Sequence, residues 1–254
     1  MTLLAVRNLS RAFGGVKAVD EVGFELNPGQ LLALIGPNGA GKTTCFNLIN
    51  GQLRPDAGQV LLEGADITGW TPRRIWRQGV GRTFQITATY GSMSVRENVQ
   101  MVLQSRAGGF FDLRARMAAR HREAAQALLE QVGMGGQAER ACALLSYGDL
   151  KRVELAVALA HGPRVVLMDE PTAGMGPRER DELMALTAKL VTERGIGVLF
   201  TEHSMDVVFT YAHRLVVMAR GQIIAQGSPD QVRGDPAVQA AYLGSGASYG
   251  AAHA

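Results

Sequence analysis

The chain has 254 residues, 46% hydrophobic and 19% charged, with a formal net charge of +3. That balance describes a foldable globular chain, is too weakly basic to argue for nucleic acid, and suits one large α/β domain or a domain with a sizeable subdomain. No apolar run reaches the ~18 residues of a membrane span, and Met1 to Arg7 lacks the apolar core of a signal peptide, so a cytosolic chain is expected.

Residues 3–7 and 22–26 read as short strands around a Gly14-Gly15 turn. Phe13, just before that turn, is either an exposed aromatic able to stack on a purine or a core residue, and spacing alone favours the core. The apolar run Leu31-Leu32-Ala33-Leu34-Ile35 then meets Gly36-Pro37-Asn38-Gly39-Ala40-Gly41-Lys42-Thr43-Thr44 and continues into Cys45-Phe46-Asn47-Leu48-Ile49. This is G-x-x-x-x-G-K-[ST] between a strand and a helix, the context a phosphate-binding loop requires. Glycine permits positive φ and close approach of a ligand to the backbone. Successive amides and the helix N-terminus then favour an anion. Lys42 is expected to reach the β- and γ-phosphates, and the Thr43 hydroxyl to ligate Mg²⁺. A chance glycine-rich turn would not come with both flanks and both threonines.

Gly58 to Gly64 reads as another strand, Pro72 to Gln78 as a basic helical turn, and Gly79 to Gln85 as a strand running into a loop. Gln85 is a neutral amide able to bind Mg²⁺ or orient a water, a weak signal by itself. From Ser94 to about Gln131 the pattern is helical, with Val95, Val99 and Val102-Leu103 at helical spacing. Arg106, Arg114, Arg116, Arg120, His121 and Arg122 form a basic run near Asp112 and Glu123. A solvated helical face is preferred there over a patch for anionic lipid head groups or an acidic partner.

A loop at Gly133 to Gly136 precedes Leu145-Ser146-Tyr147-Gly148-Asp149 and a buried helix ending near Ala160. Ser146 and Gly148 fall at that helix's N-terminus. They can make a second anion site or a simple serine cap, and the local pattern leaves both open. After Gly162-Pro163, the strand Val165 to Met168 ends in Asp169-Glu170. Buried charge is costly, and strand tips of open parallel sheets are where ligands bind, so two acids there point to chemistry. One can hold Mg²⁺ through water and the next can polarise an attacking water. A loop at 171–177, a helix at 179–190 and a strand at 197–201 follow, ending at Glu202-His203; the histidine can hydrogen-bond a γ-phosphate. Residues 215–218 and 222–225 read as a hairpin around Gly221, and 245–254 as a disordered tail. Cys45 and Cys142 lie outside any C-x-x-C pair and read as buried reduced thiols.

The order phosphate loop, Gln85, Leu145-Ser146-Tyr147-Gly148-Asp149, Asp169-Glu170, His203 resembles an ATP-binding-cassette (ABC) ATPase over essentially the whole chain to Gly244. Phe13-Gly14-Gly15-Val16-Lys17-Ala18-Val19, Gly81 to Gln85, Pro171 to Met175 and the ending Asp235-Pro236 to Gly244 are similar to the ATPase subunits of branched-chain amino-acid importers. Relatives of that subtype also serve urea and other small polar or carboxylate solutes, and lipopolysaccharide-export ATPases share the closing pattern, so the resemblance implies import of branched-chain amino acids or a related small polar or carboxylate solute. The resemblance implies a P-loop NTPase fold: a mixed parallel sheet with helices, an antiparallel β-subdomain and an α-helical subdomain. It implies an ABC ATPase domain over 1–244, with core and β-subdomain at 1–89 and 161–244, helical subdomain and signature at 90–160, and a flexible tail at 245–254.

Carried over, the resemblance places Phe13 on adenine, the loop from Gly36 through Pro37, Asn38, Gly39, Ala40, Gly41 and Lys42 on the phosphates, and Thr44 near the α-phosphate. Thr43, Gln85 and Asp169 would serve Mg²⁺, with Gln85 also catalytic as a bridge between metal, water and the permease interface; Glu170 would be the general base with His203 on the γ-phosphate, and Ser146 and Gly148 would bind the ATP of the opposite subunit. The implied partners are a like or related ATPase, two membrane permease subunits and, indirectly, an extracytoplasmic solute-binding protein, with no nucleic acid. The place implied is the cytoplasmic face of the inner membrane. Gly176 stands where the family has Asp, or often Asn in this subtype, which removes a polar side chain expected to communicate between the two sites. A non-transport ABC ATPase usually carries a coiled-coil insert or tandem cassettes, which this chain lacks. A P-loop kinase would not carry the signature or His203.

Overall fold

The computed structural model describes residues 2–83, 89–107 and 121–243. β1 (Leu4–Phe13) and β2 (Val16–Leu26) form a hairpin that turns at Gly14 and Gly15, both at positive φ. β3 (Leu31–Ile35) leaves for a second sheet, while β4 (Ala57–Leu62) and β5 (Ala65–Asp66) return to the first. The first sheet is antiparallel, in the order β2-β1-β4-β5. β1 and β2 run further than the apolar segments at 3–7 and 22–26 indicate. Asn8 (φ 46°) and Glu21 (φ 51°) are left-handed, and the pairing register shifts between Val6 and Leu9. Such bulges break the period-two alternation that marks a strand in sequence.

The second sheet adds β6 (Val80–Thr83), β7 (Val165–Asp169), β8 (Gly197–Thr201), β9 (Arg214–Ala219) and β10 (Gln222–Gly227), in the order β10-β9-β3-β8-β7-β6. β3, β6, β7, β8 and β9 are mutually parallel and β10 pairs antiparallel to β9. Every residue of β3, β7 and β8 is buried, which is why they read as unbroken apolar runs. Alternate residues of β3 feed two cores. Leu32 and Leu34 pack with Leu4, Phe24 and Phe46, between the two sheets and α1 (Lys42–Ile49). Leu31, Ala33 and Ile35 face the other core, with Phe200 and helices from the rest of the chain.

Those helices follow in order: α2 (Pro72–Arg77), α3 (Val95–Ala107), α4 (Arg122–Gln131), α5 (Tyr147–Ala160), α6 (Pro177–Arg194), α7 (Met205–Tyr211), α8 (Pro229–Arg233) and α9 (Pro236–Leu243). α3, α4 and α5 pack on one another. α6 is longer than the 179–190 segment expected: Pro177 opens it and Gly195, left-handed, closes it. Pro at the first helical position and Gly at the close are the ordinary boundary pair. The hairpin around Gly221 forms as expected. Because the parallel strands all point one way, the loops after β3, β7 and β8 emerge at one edge.

Candidate functional site

The loop after β3 is held in shape from below. A side chain on Gly36 (φ 150°) would start 2.1 Å from the Met218 carbonyl oxygen, and one on Gly41 (φ 102°) 2.2 Å from that of Ala18. Only glycine fits either position, so the loop lies directly on β9 and the start of β2. The Gly221 amide donates to the Ala40 carbonyl at 3.0 Å and pins the middle. α1 then begins at Lys42, with its first-turn amides unpaired within the helix. Lys42 is buried, and its Nζ donates to the Gly36 and Pro37 carbonyls at 2.6 and 3.0 Å. Burial lowers its pKa, while Glu170 and Asp169 oppose the shift. The ammonium therefore sits in the field of both carboxylates. Thr43 is exposed and Thr44 partly so.

At the tip of β7, Asp169 is buried, with Oδ1 accepting from the Thr201 hydroxyl at 2.8 Å and Oδ2 3.3 Å from Arg82 Nη2. Glu170 takes a left-handed backbone (φ 47°), and its amide donates to the Thr201 carbonyl and hydroxyl at 3.2 and 3.1 Å. A non-glycine residue there is uncommon and marks a position held by its surroundings. Its Oε1 lies 2.8 Å from His203 Nε2, at the tip of β8. So the phosphate loop, Asp169, Glu170 and His203 gather at one sheet edge. An anion placed on the loop amides would meet a lysine, a carboxylate fit to accept a proton from water, and an imidazole.

Two residues here were not singled out from sequence. Arg82, on β6, steadies Asp169 and donates to Asn47 Oδ1 on α1 at 2.9 Å. Glu202 is buried and accepts from the amides of Thr172, His203 and Ser204 at 3.0, 2.8 and 3.2 Å, and from the Thr172 hydroxyl. It ties the loop after β7 to the loop after β8. The available signal was its chemistry, since an acid closing an apolar strand needs donors.

Phe13 overturns the reading from spacing: it is 45% exposed, not core. It closes β1 opposite Val16, where the hairpin leaves the sheet. The Arg11 guanidinium stands 5.1 Å from the ring centroid, and Asp56 holds it by Oδ1 while Oδ2 accepts from the Ala12 amide. One ring face is thus supported by a cation.

Ser146 caps α5, its hydroxyl accepting from the Asp149 amide at 3.2 Å, so the serine-cap reading is realised in this state. A side chain on Gly148 would start 3.1 Å from Glu179 Oε1, and Glu179 Oε2 accepts from the Gly176 amide at 3.3 Å. Tyr147 is exposed and its ring lies 3.6 Å from where a side chain on Gly174 would begin. The α5 terminus and the loop at 174–176 are therefore in contact within one chain, with Glu179 reaching across beside the side-chain-free Gly176. Gln85, Arg114, Arg116, Arg120 and the tail from 245 lie outside the described residues. Cys45 and Cys142 are both free and buried.

A family model described as ABC transporter matches residues 19–173, and one described as branched-chain amino acid ATP-binding cassette transporter matches 222–248. The chain is 39% identical over 250 residues to the high-affinity branched-chain amino acid transport ATP-binding protein BraF of Pseudomonas aeruginosa, covering 95% of this chain and 98% of that protein. It is 38% identical over 249 residues to LivG of Escherichia coli, which carries the same description, again covering 95% and 98%. Among solved structures, the ADP conformation of an ATP-binding cassette of an ABC transporter superposes with a TM-score of 0.86 at 34% identity, covering 96% of this chain and 99% of that one.

Proposed function

The chain belongs to the ABC transporter family of ATP-binding subunits, and from that premise we propose that it hydrolyses ATP to drive uptake of branched-chain amino acids through a separate permease. The observation that carries the enzymatic part is the gathering of the phosphate loop, the Asp169-Glu170 tip and His203 at one sheet edge. The observation that carries the solute is the match of residues 222–248 to the branched-chain family model, together with BraF and LivG.

The loop from Gly36 to Thr44 grips the triphosphate through amides and Lys42. Phe13, backed by Arg11, stacks on adenine. Glu170 takes a proton from the attacking water, and its 2.8 Å contact with His203 keeps the carboxylate at the site before nucleotide arrives. His203 can then turn to the γ-phosphate. In-line attack of this kind is driven mostly by positioning and charge neutralisation.

Magnesium fits the residues present. Thr43 offers a hydroxyl and Asp169 a carboxylate, and among the described residues no cluster of three ligating side chains forms a closed cage. That is the donor set of an ion shared with phosphate oxygens and water. When bound, Mg²⁺ would neutralise charge on the phosphates. Gln85 belongs to the same proposal.

Ser146 and Gly148 would complete the site of a second subunit, either another copy or a related chain. Among the described residues no helix is long and apolar enough to cross a membrane. A mainly apolar cavity of about 570 Å³, lined by Trp76, Tyr90, Met101, Val102 and Val157, opens between α2, α3 and α5 and suits the permease. The proposal keeps the division into a core with β-subdomain at 1–89 and 161–244 and a helical subdomain at 90–160. The protein would sit peripherally on the cytoplasmic face of the inner membrane, served by an extracytoplasmic solute-binding protein. Reconstitution with the two permease subunits and a leucine-binding protein is the test. ATP-dependent leucine uptake, lost in Tyr90→Asp, supports the reading; uptake of urea and not leucine would overturn the solute.

A further inference from the structure

Glu170 and His203 meet at 2.8 Å, yet they project from different loops, 33 residues apart in the chain. Glu170 opens the loop after β7, and His203 lies just beyond the end of β8. The imidazole is exposed, so packing does not aim it, and its backbone has to. What holds the two backbones at a fixed separation therefore decides whether the side chains meet.

Both backbones converge on one buried carboxylate. Glu202 Oε1 accepts from the amide of Thr172, two residues past Glu170, at 3.0 Å, and from the Thr172 hydroxyl. Its Oε2 accepts from the amides of His203 and Ser204 at 2.8 and 3.2 Å. Three of these four donors are backbone amides, which cannot accept, and they are divided between the two oxygens. A glutamine would fit the space, but on one side it must turn an NH₂ group toward an amide donor. A buried donor left unmade is costly, so one half of the clasp would let go. Neighbouring bonds carry the clasp outward. The Ala173 amide donates to the Glu170 carbonyl at 3.2 Å, and the Met175 amide to the Thr172 carbonyl at 3.1 Å. Arg180 Nη1, on α6, donates to the Ser204 hydroxyl at 3.1 Å.

We propose that Glu202 is the positioning residue of the Glu170–His203 pair. Holding Thr172 on one oxygen and His203 and Ser204 on the other, it fixes the distance between the two loops, and with it where the base and the imidazole stand. Being buried, it acts through the backbone. Displacement of reacting groups by about 1 Å can cost on the order of 10²-fold in rate, so a strut at this place bears on turnover. The effect on turnover rests on the hydrolysis reading above; the effect on the pair's geometry does not.

The first arm of the test reads that geometry in the nucleotide-free full chain. His203 ring signals, assigned with His203→Gln, are recorded by NMR with and without Glu170→Gln. That substitution should shift them in the otherwise wild-type chain and leave them nearly unmoved once Glu202→Gln is present, because the ring no longer stands against residue 170. Thr172→Val removes the hydroxyl alone and should leave an intermediate response; it decides the matter if a melting curve shows that Glu202→Gln does not fold. A response of full size in the deciding variant, or none in the wild-type chain, would overturn the proposal. The second arm measures kinetics in the reconstituted transporter. Glu202→Gln should lower kcat at least about tenfold while KM for ATP stays within about threefold. Thr187→Val, which removes a buried hydroxyl bond to the Leu183 carbonyl within α6, should lower the melting temperature without that split. Wild-type kcat in folded Glu202→Gln would likewise overturn the proposal. If the wild type itself releases no phosphate, the hydrolysis reading falls and the NMR arm alone decides the positioning role.

Discussion

The tips of β3, β7 and β8 and the N-terminus of α5 are the two places proposed to meet nucleotide, and they are built differently. At the strand tips the parts face one another: Lys42 lies in the field of Asp169 and Glu170, and Glu170 holds His203. At α5, Ser146 satisfies its own helix, and the near neighbours of Gly148 are Glu179 and Met175. Tyr147 projects outward beside them. The first region gathers the proposed phosphate grip and the proposed base within one chain. The second turns its serine inward as a cap, and its role as a half-site completed by another molecule is the proposal.

If the strand tips are the chemical half, Glu170→Gln should lower ATP turnover by about 10²–10⁴-fold while leaving ATP affinity within about threefold, since removal of a general base has that magnitude. Phosphate release and equilibrium binding check this together. Near-normal turnover would break the comparison at its stronger side.

The far end of α5 gives the next largest effect. His161 titrates near 4 when folded and 6.5 when free. The unfolded chain thus binds the proton first as pH falls, so the stability its neutral form contributes is present above pH 6.5 and is lost between there and about 4. The shift corresponds to up to about 3 kcal/mol. Urea unfolding from pH 7 to 4 should show a steeper loss in the wild type than in His161→Gln.

Phe13→Ala should weaken ATP binding about fivefold or more, because stacking of a base on an aromatic side chain contributes on the order of 1–3 kcal/mol. Binding of inorganic triphosphate, which has no base, should be unchanged. Calorimetry on both ligands separates a stacking role from a structural one.

The smallest effect tests the other side of the comparison. Ser146→Ala removes a helix cap worth about 1 kcal/mol, so melting should fall by about 2–4 °C for a chain of this size. A drop well beyond that would mean that α5 is anchored by more than its cap.

The phosphate loop was legible because its glycine spacing is local and its flanks name a strand and a helix. Asp169 and Glu170 were legible because two acids closing an apolar run have few structural explanations. Arg82 was not, because its partner Asp169 lies 87 residues away and only the β6–β7 pairing brings them together. Glu202 was overshadowed by His203, although it is the buried one of the pair. Phe13 was misjudged from spacing because a strand end at a hairpin lies outside the core whatever its residue type. The full lengths of β1 and β2 were hidden by the bulges at Asn8 and Glu21. The contact of Glu179 with Gly148 and Gly176 depends on how α5 and α6 pack, which no local pattern encodes.

The division of labour between the two regions is tested most directly by measuring ATP affinity and ATP turnover side by side in Ser146→Arg. The account predicts affinity like the wild type with turnover at background, because the strand tips hold the nucleotide but need the α5 terminus of a partner to act on it. Full turnover in that variant would contradict the account, since the strand tips would then be completing the reaction alone.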